Sequence, residues 1–102
     1  MTKITRIWHG ITKAEHADEY LLYVEATGMK DYRNIPGNLS AKLLRSVTGS
    51  ECHFLTITEW DSYESIKSFA GTDFQKAKYY PEDRNYLLEF EEHVTHYETF
   101  EY

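Results

Sequence analysis

Phe54-Leu-Thr-Ile-Thr-Glu-Trp60-Asp61-Ser-Tyr-Glu64-Ser-Ile-Lys-Ser-Phe69 reads as a strand that runs directly into a capped helix, with a tryptophan at the joint. Thr56, Ile57 and Thr58 are β-branched and suit a pleated strand. Asp61 is placed to cap the helix, and Glu64, three residues on, to reach back to the cap's amide. Ile66, Phe69 and Ala70 then fall at helical spacing. The same construction, strand then capping box then helix, occurs at Ile4 to Ile11 followed by Thr12-Lys-Ala-Glu15. The chain therefore divides into two strand–helix halves. A large aromatic at such a joint stands where a sheet ends and a helix folds back, a place where pockets form.

Working outward, residues 3–11 form a first strand with apolar residues on both sides, which predicts that both faces are covered. Thr12 opens a helix in which Ala14, Ala17, Leu21, Val24 and Gly28 repeat at three- and four-residue steps, with Gly28 at its end. Residues 29–38 read as a loop closed by Pro36-Gly37. Leu39 to Val47 is a second strand, joined through Thr48-Gly49-Ser50-Glu51 to a third over 52–60. After the helix at 62–70, Gly71 breaks the chain. Thr72-Asp-Phe-Gln75 predicts a short helical piece that turns Phe74, Ala77 and Tyr80 inward and is stopped by Pro81. Asp83 to Phe90 adds a further turn, and His93 to Phe100 is a last strand. The order β-α-β-β-α-β is that of an α+β, ferredoxin-like split sandwich with a four-stranded antiparallel sheet, one domain over residues 1–102. Helices on one face leave the other needing cover, so two sheets are expected to pair as a homodimer, a dimeric α+β barrel.

Composition agrees. A chain of 102 residues buries only about 60–65% of its unfolded surface, and Cys52, the only cysteine, allows no internal disulfide. A reduced, cytoplasmic protein that gains burial by association is expected. Cys52 itself, beginning a strand beside Glu51, reads as a small buried residue rather than an activated thiol. Aromatics make up 16% of the chain, nine of them tyrosine, which provides large amphipathic surfaces for a partner subunit or a cavity. The net charge of −6, without a basic run, argues against nucleic acid. No apolar stretch approaches the length of a membrane span.

Alternation puts Ile7, His9 and Ile11 on one face of the first strand and Arg6, Trp8 and Gly10 on the other. The first and last strands are neighbours in this fold, which predicts His9 near His93 or His96. A neutral imidazole there is either a polar cross-strand partner or a proton acceptor. His93 beside Glu91-Glu92 and His16 on an exposed turn read as solvated. His93-x-x-His96 in a strand splits between faces, so no metal site is expected. Trp60 is a core aromatic or a pocket wall. Tyr79 and Tyr80 lie where a lid would be, and Arg33 and Arg84 read as solvated loop charges.

Arg6-Ile-Trp-His-Gly-Ile-Thr12, Pro36-Gly37, Glu59-Trp60-Asp61-Ser62, Ala77-Lys-Tyr-Tyr-Pro-Glu-Asp83 and His93-Val-Thr-His-Tyr97 together resemble the antibiotic biosynthesis monooxygenase family of dimeric ferredoxin-like barrels. The resemblance spans nearly the whole chain. It implies oxidation of a small aromatic or quinol-type molecule by molecular oxygen with no cofactor, the substrate supplying the electrons after losing a proton. On that reading His9 or His96 assists deprotonation, while Trp60, Tyr79, Tyr80, Ile7 and Phe74 shape the cavity. The absence of a glycine-rich phosphate loop agrees. The superfamily also holds isomerases, decyclising enzymes and members without known activity, so a non-catalytic, small-molecule-binding or stress-related barrel is the alternative. Its haem-degrading branch is a poor match. That branch relies on a first-strand asparagine, where Ile7 stands, on the tryptophan, which Trp60 matches, and on a histidine, where Lys78 or Tyr79 stands.

Overall fold

The computed structural model describes residues 2–102. Strand β1 (Lys3–Lys13) leads through a 3-10 turn (Ala14–His16) into helix α1 (Ala17–Val24), a π-helical stretch (Glu25–Met29) and α2 (Lys30–Arg33). Strands β2 (Asn38–Thr48) and β3 (Glu51–Trp60) form a hairpin, followed by α3 (Tyr63–Ala70), a 3-10 turn (Pro81–Asn85) and β4 (Thr95–Thr99). The sheet is antiparallel in the order β2-β3-β1-β4, the ferredoxin-like topology. In the hairpin only Gly49, the first turn residue, has a positive φ, the pattern of a type II′ turn.

Period-two alternation sets the layers. Ile4, Arg6, Trp8, Gly10 and Thr12 of β1, with Cys52, Phe54, Thr56, Thr58 and Trp60 of β3, are buried beneath the helices. Ile7, His9 and Ile11, with His53, Leu55 and Ile57, form the opposite face, half-buried and without helices over it. Two clusters fill the covered side. Trp8, Ala17, Tyr20, Val24, Phe54 and Leu87 make one. Ile4, Tyr32, Trp60, Ile66 and Phe69 make the other.

Five local expectations change. The first helix does not end at Gly28: Tyr20, Val24, Gly28 and Tyr32, four residues apart, are all buried, and the core contacts of Tyr32 carry the helix past the glycine to Arg33. Thr12 is not a cap. It lies buried in β1 with its hydroxyl donating to the Lys13 carbonyl, and the strand end is pinned to the hairpin by Ala14 N donating to the Ser50 carbonyl at 2.7 Å. Helix α3 is capped by Ser62, whose Oγ accepts from Ser65 N at 3.2 Å, rather than by Asp61. Asp61 accepts the hydroxyls of Ser62 and Ser65 instead, and Glu64 pairs with Lys67. Residues 72–80 are not helical. They form a strap whose backbone pairs with residues 92–94, Ala77 N to the Glu92 carbonyl and Val94 N to the Gln75 carbonyl, each 2.9 Å. Pro81 begins a 3-10 turn rather than ending a helix, because its fixed φ and missing N–H suit the first helical position.

Gly37 locks the β3–α3 joint. Its φ is +95°, its carbonyl accepts from Asp61 N, and an added Cβ would stand 2.0 Å from Ser65 Oγ. Gly37→Ala is expected to lower stability by about 1–3 kcal/mol in urea denaturation. An unchanged midpoint would contradict this account of the joint.

Candidate functional site

Between the sheet and the helices lies a cavity of about 20 Å³, room for one water-sized group. Trp8 and Thr56 form its floor, Tyr20, Val24, Thr27, Gly28 and Tyr32 one wall, and Lys78, Tyr80 and Asp83 the other. Gly28 leaves space where a side chain would crowd the rings of Tyr80 and Tyr32, 3.7 and 3.8 Å from an added Cβ.

Asp83 is the buried acid of this cavity, 4% exposed. Its Oδ1 accepts the Tyr20 hydroxyl at 2.8 Å and its Oδ2 the Tyr80 amide at 2.6 Å. Burial raises its pKa above the ordinary aspartate range, and these two donors only partly offset it. The phenols are held neutral. Burial, then Asp83, raises that of Tyr20; burial, then Asp31, raises that of Tyr80, whose hydroxyl donates to Asp31 Oδ2. Burial likewise pushes Tyr79 up to about 12, and its hydroxyl donates to the Glu91 carbonyl. The hydroxyl of Tyr32 pairs with Thr56 Oγ1 at 3.2 Å. Two buried donors stay without a partner among the described residues, the indole Nε1 of Trp8 and Nε of Arg6.

The residues picked from the sequence fall in three places. Tyr80 lines the cavity, and Tyr79 packs edge-on against Trp8 behind it. Trp60 does not line it. The indole is 0% exposed, packs beside Tyr32 and Phe69, and donates Nε1 to Thr58 Oγ1 at 2.8 Å. His96 and Phe74 share a cleft beyond Arg6 with Tyr63 and Val94. His9 and Ile7 lie on the helix-free face, where His9 Nδ1 meets Glu91 and Nε2 meets His53 Nδ1 at 2.9 Å. His9 thus pairs with Glu91 and His53 on one face of the sheet, while His96 meets Arg6 on the other.

Asp83, Trp8, Lys78, Tyr20 and Tyr32 were not legible as a site. Trp8 shares a face with Arg6 by alternation, and that was its signal. Asp83 gave none, because an aspartate three residues after a tyrosine and two after a proline reads as an ordinary turn residue.

Arg6 is buried, with no carboxylate partner among the described residues. Its Nη1 donates to the Phe74 carbonyl at 2.5 Å and to His96 Nε2 at 3.1 Å, and Nη2 reaches the Lys76 carbonyl at 3.4 Å. It thus ties the strap to the sheet and occupies the lone pair His96 would need as a base. Burial, then the Arg6 charge, lowers His96 from 6.5 to about 4. The folded state therefore binds this proton less readily than the unfolded chain. The stabilising contribution is complete above about 6.5 and lost as pH falls through about 4. His96→Gln is expected to flatten the acid limb of a stability–pH profile in that window, and an unaltered limb would refute the assignment.

The comparisons agree with this architecture. No curated protein matches the chain in sequence. A crystal structure of an MhuD variant with two manganese protoporphyrin IX molecules bound per active site is similar in fold, with a TM-score of 0.53 and 23% identity over 93% of this chain and 90% of that one. The family model described as antibiotic biosynthesis monooxygenase matches residues 10–78, more than half of the sequence. The chain belongs to the antibiotic biosynthesis monooxygenase family.

Proposed function

We propose that the chain is a cofactor-independent monooxygenase that oxidises a small aromatic or quinol-type molecule with molecular oxygen, in the cavity beside Trp8 and Asp83. The observation that carries this reading is a buried carboxyl group, raised by desolvation, inside an aromatic-walled cavity. A raised carboxylate is the stronger base, nearer in proton affinity to an acidic phenol. Asp83 takes the hydroxyl proton, and the substrate anion then supplies electrons to oxygen. For a ring methylene the balance closes without another reductant: CH2 and O2 give C=O and H2O, all four electrons coming from the substrate. Asp83 takes the base role given above to His9 or His96, both of which lie outside the cavity.

An aromatic ring needs more room than one water-sized group, and the strap carrying Lys78 and Tyr80 is the element that gives way. It has no regular secondary structure over residues 71–80, and the Tyr80–Asp31 hydrogen bond is its catch. The donor set does not fit the porphyrin bound by the MhuD structure: no histidine lines the cavity, and the hydroxyls of Tyr79 and Tyr80 are both engaged.

The helix-free face carries Ile7, Ile11, Leu55 and Ile57, with Leu44 and Tyr97 exposed beside them. A second copy stacked sheet to sheet covers this apolar surface and encloses the His9–His53–Glu91 group. Among the described residues no helix is long and apolar enough to cross a membrane.

Oxygen uptake with a panel of hydroxyanthrones and hydroquinones tests the activity. Asp83→Asn is expected to lower the rate by about 10²–10⁴-fold in a folded protein, with His9→Gln close to wild type. No uptake above buffer for any member would sink the oxygenase reading, and turnover without oxygen consumption would point to an isomerase or decyclase. In sedimentation velocity the protein is expected to run as a dimer and Ile57→Arg as a monomer. A monomeric wild type would refute the paired sheets.

A further inference from the structure

We infer that Tyr20 and Tyr86 form an electron relay out of the cavity. A one-electron oxidant formed there, a phenoxyl radical of the aromatic ligand, draws its electron from Tyr20 and then from Tyr86 near the surface. This rests on the cavity being the site named above, and it adds to that site a route by which a radical is discharged.

Aromatic rings lead away from the cavity in two directions. Tyr20 lines it and is 1% exposed, and its ring centre lies 5.4 Å from that of Tyr86, which is half-buried. Trp8 lines it too, and leads to Tyr79 at 6.2 Å and on to Phe90 at 5.0 Å. A phenol gives up an electron readily only where its proton can leave with it, so the hydrogen-bond acceptors decide between the two. Tyr20 donates to Asp83 Oδ1 at 2.8 Å, and Tyr86 donates to Oε2 of the exposed Glu19 at 3.4 Å. Each phenol of this pair thus has a carboxylate to take its proton. On the other branch Tyr79 donates to a backbone carbonyl, which accepts no proton at ordinary pH, and Phe90 has no hydroxyl. Tyr80 also meets a carboxylate, Asp31, but the Lys78 ammonium stands 5.8 Å from its ring, and a cation there opposes removal of an electron. Packing alone does not ask for this arrangement. Phenylalanine at 20 with an uncharged residue at 83 would fill the same space without burying a carboxyl group.

Electrons and protons balance along the route. The ligand radical takes one electron from Tyr20 and becomes the phenolate, while the Tyr20 proton passes to Asp83. Tyr86 then gives an electron to the Tyr20 radical. Asp83 returns its proton to the Tyr20 oxygen, and the Tyr86 proton passes to Glu19. The net change is a radical moved from the ligand to Tyr86 and one proton gained by Glu19. Asp83 ends as it began, ionised, which is the state in which the oxidation proposed above also starts.

The probe is a ruthenium polypyridyl photosensitiser on the full chain, attached through Lys78→Cys, an exposed position beside the cavity, with Cys52→Ala to remove the competing thiol. A flash in the presence of a soluble electron acceptor leaves the ruthenium oxidised, and a nitroso spin trap marks where the radical comes to rest. Peptide mass spectrometry is expected to find the trap on Tyr86. Asp83→Asn is expected to lower that adduct by about 10²-fold, the scale of a positioned proton acceptor, and Tyr20→Phe to lower it at least as far. Tyr79→Phe is expected to leave it unchanged. Glu19→Gln, on the exposed surface, also lowers it and stays informative if Tyr20→Phe unfolds. No adduct on Tyr86, or one undiminished in Tyr20→Phe or in Glu19→Gln, would overturn the relay. The flash supplies the oxidising equivalent, so the result does not depend on oxygen chemistry. A Tyr86 adduct without oxygen uptake on the aromatic panel would instead sink the oxygenase reading and leave the relay standing.

Discussion

A single buried carboxyl group, that of Asp83, joins the parts of this protein that make a cavity. Helix α1 sends it the Tyr20 hydroxyl, the strap sends it the Tyr80 amide, and the 3-10 turn opened by Pro81 carries it inward. A carboxyl group taken out of water is costly unless donors meet it, so these two hydrogen bonds are what permit its burial. The same burial raises its proton affinity. One constraint therefore fixes both the position of the strap and the acid–base character of the site. Tyr80 extends it, running from Asp83 at its amide to Asp31 at its hydroxyl, so that the wall of the cavity is clamped at both ends.

A second buried charge does the corresponding work on the other side. Among the described residues Arg6 has no carboxylate to meet it; its Nη1 and Nη2 are met by backbone carbonyls of the strap and by His96, and its Nε has no partner. That choice binds residues 74–76 to the sheet and takes His96 out of consideration as a proton acceptor.

The fold was legible because it depends on periods. Alternation in β1 and β3, the turn at Gly49 and the apolar steps of the helices gave the strand order, and with it the division of the sheet into a covered and an open face. The errors were local and share one cause. Gly28 suggests a helix end, Thr12 and Asp61 suggest caps, and Thr72 to Gln75 suggests a helix, each by short-range preference. Tyr32 in the core, the continued pairing of β1, the hydroxyl of Ser62 and the pairing of 75–77 with 92–94 overrode them. The site was less legible than the fold. Trp60 was singled out at a strand exit, yet its indole is sealed among Tyr32, Ile66 and Phe69 while Trp8 meets the void.

The sequence by itself determined the α+β class, the antiparallel split topology and which residues of β1 share a face. Those follow from periodicity, which acts between neighbours along the chain. Only the tertiary structure decided that His9 and His96 lie on opposite faces, that Trp8 rather than Trp60 faces the cavity, and that Asp83 is its acid. Residues 8, 20, 32, 56, 78 and 83 meet there from a strand, a continuous helix, a second strand, a strap with no repeating pattern and the 3-10 turn after it. Contacts of that range are set by packing and by buried hydrogen bonds, which spacing along the chain does not encode.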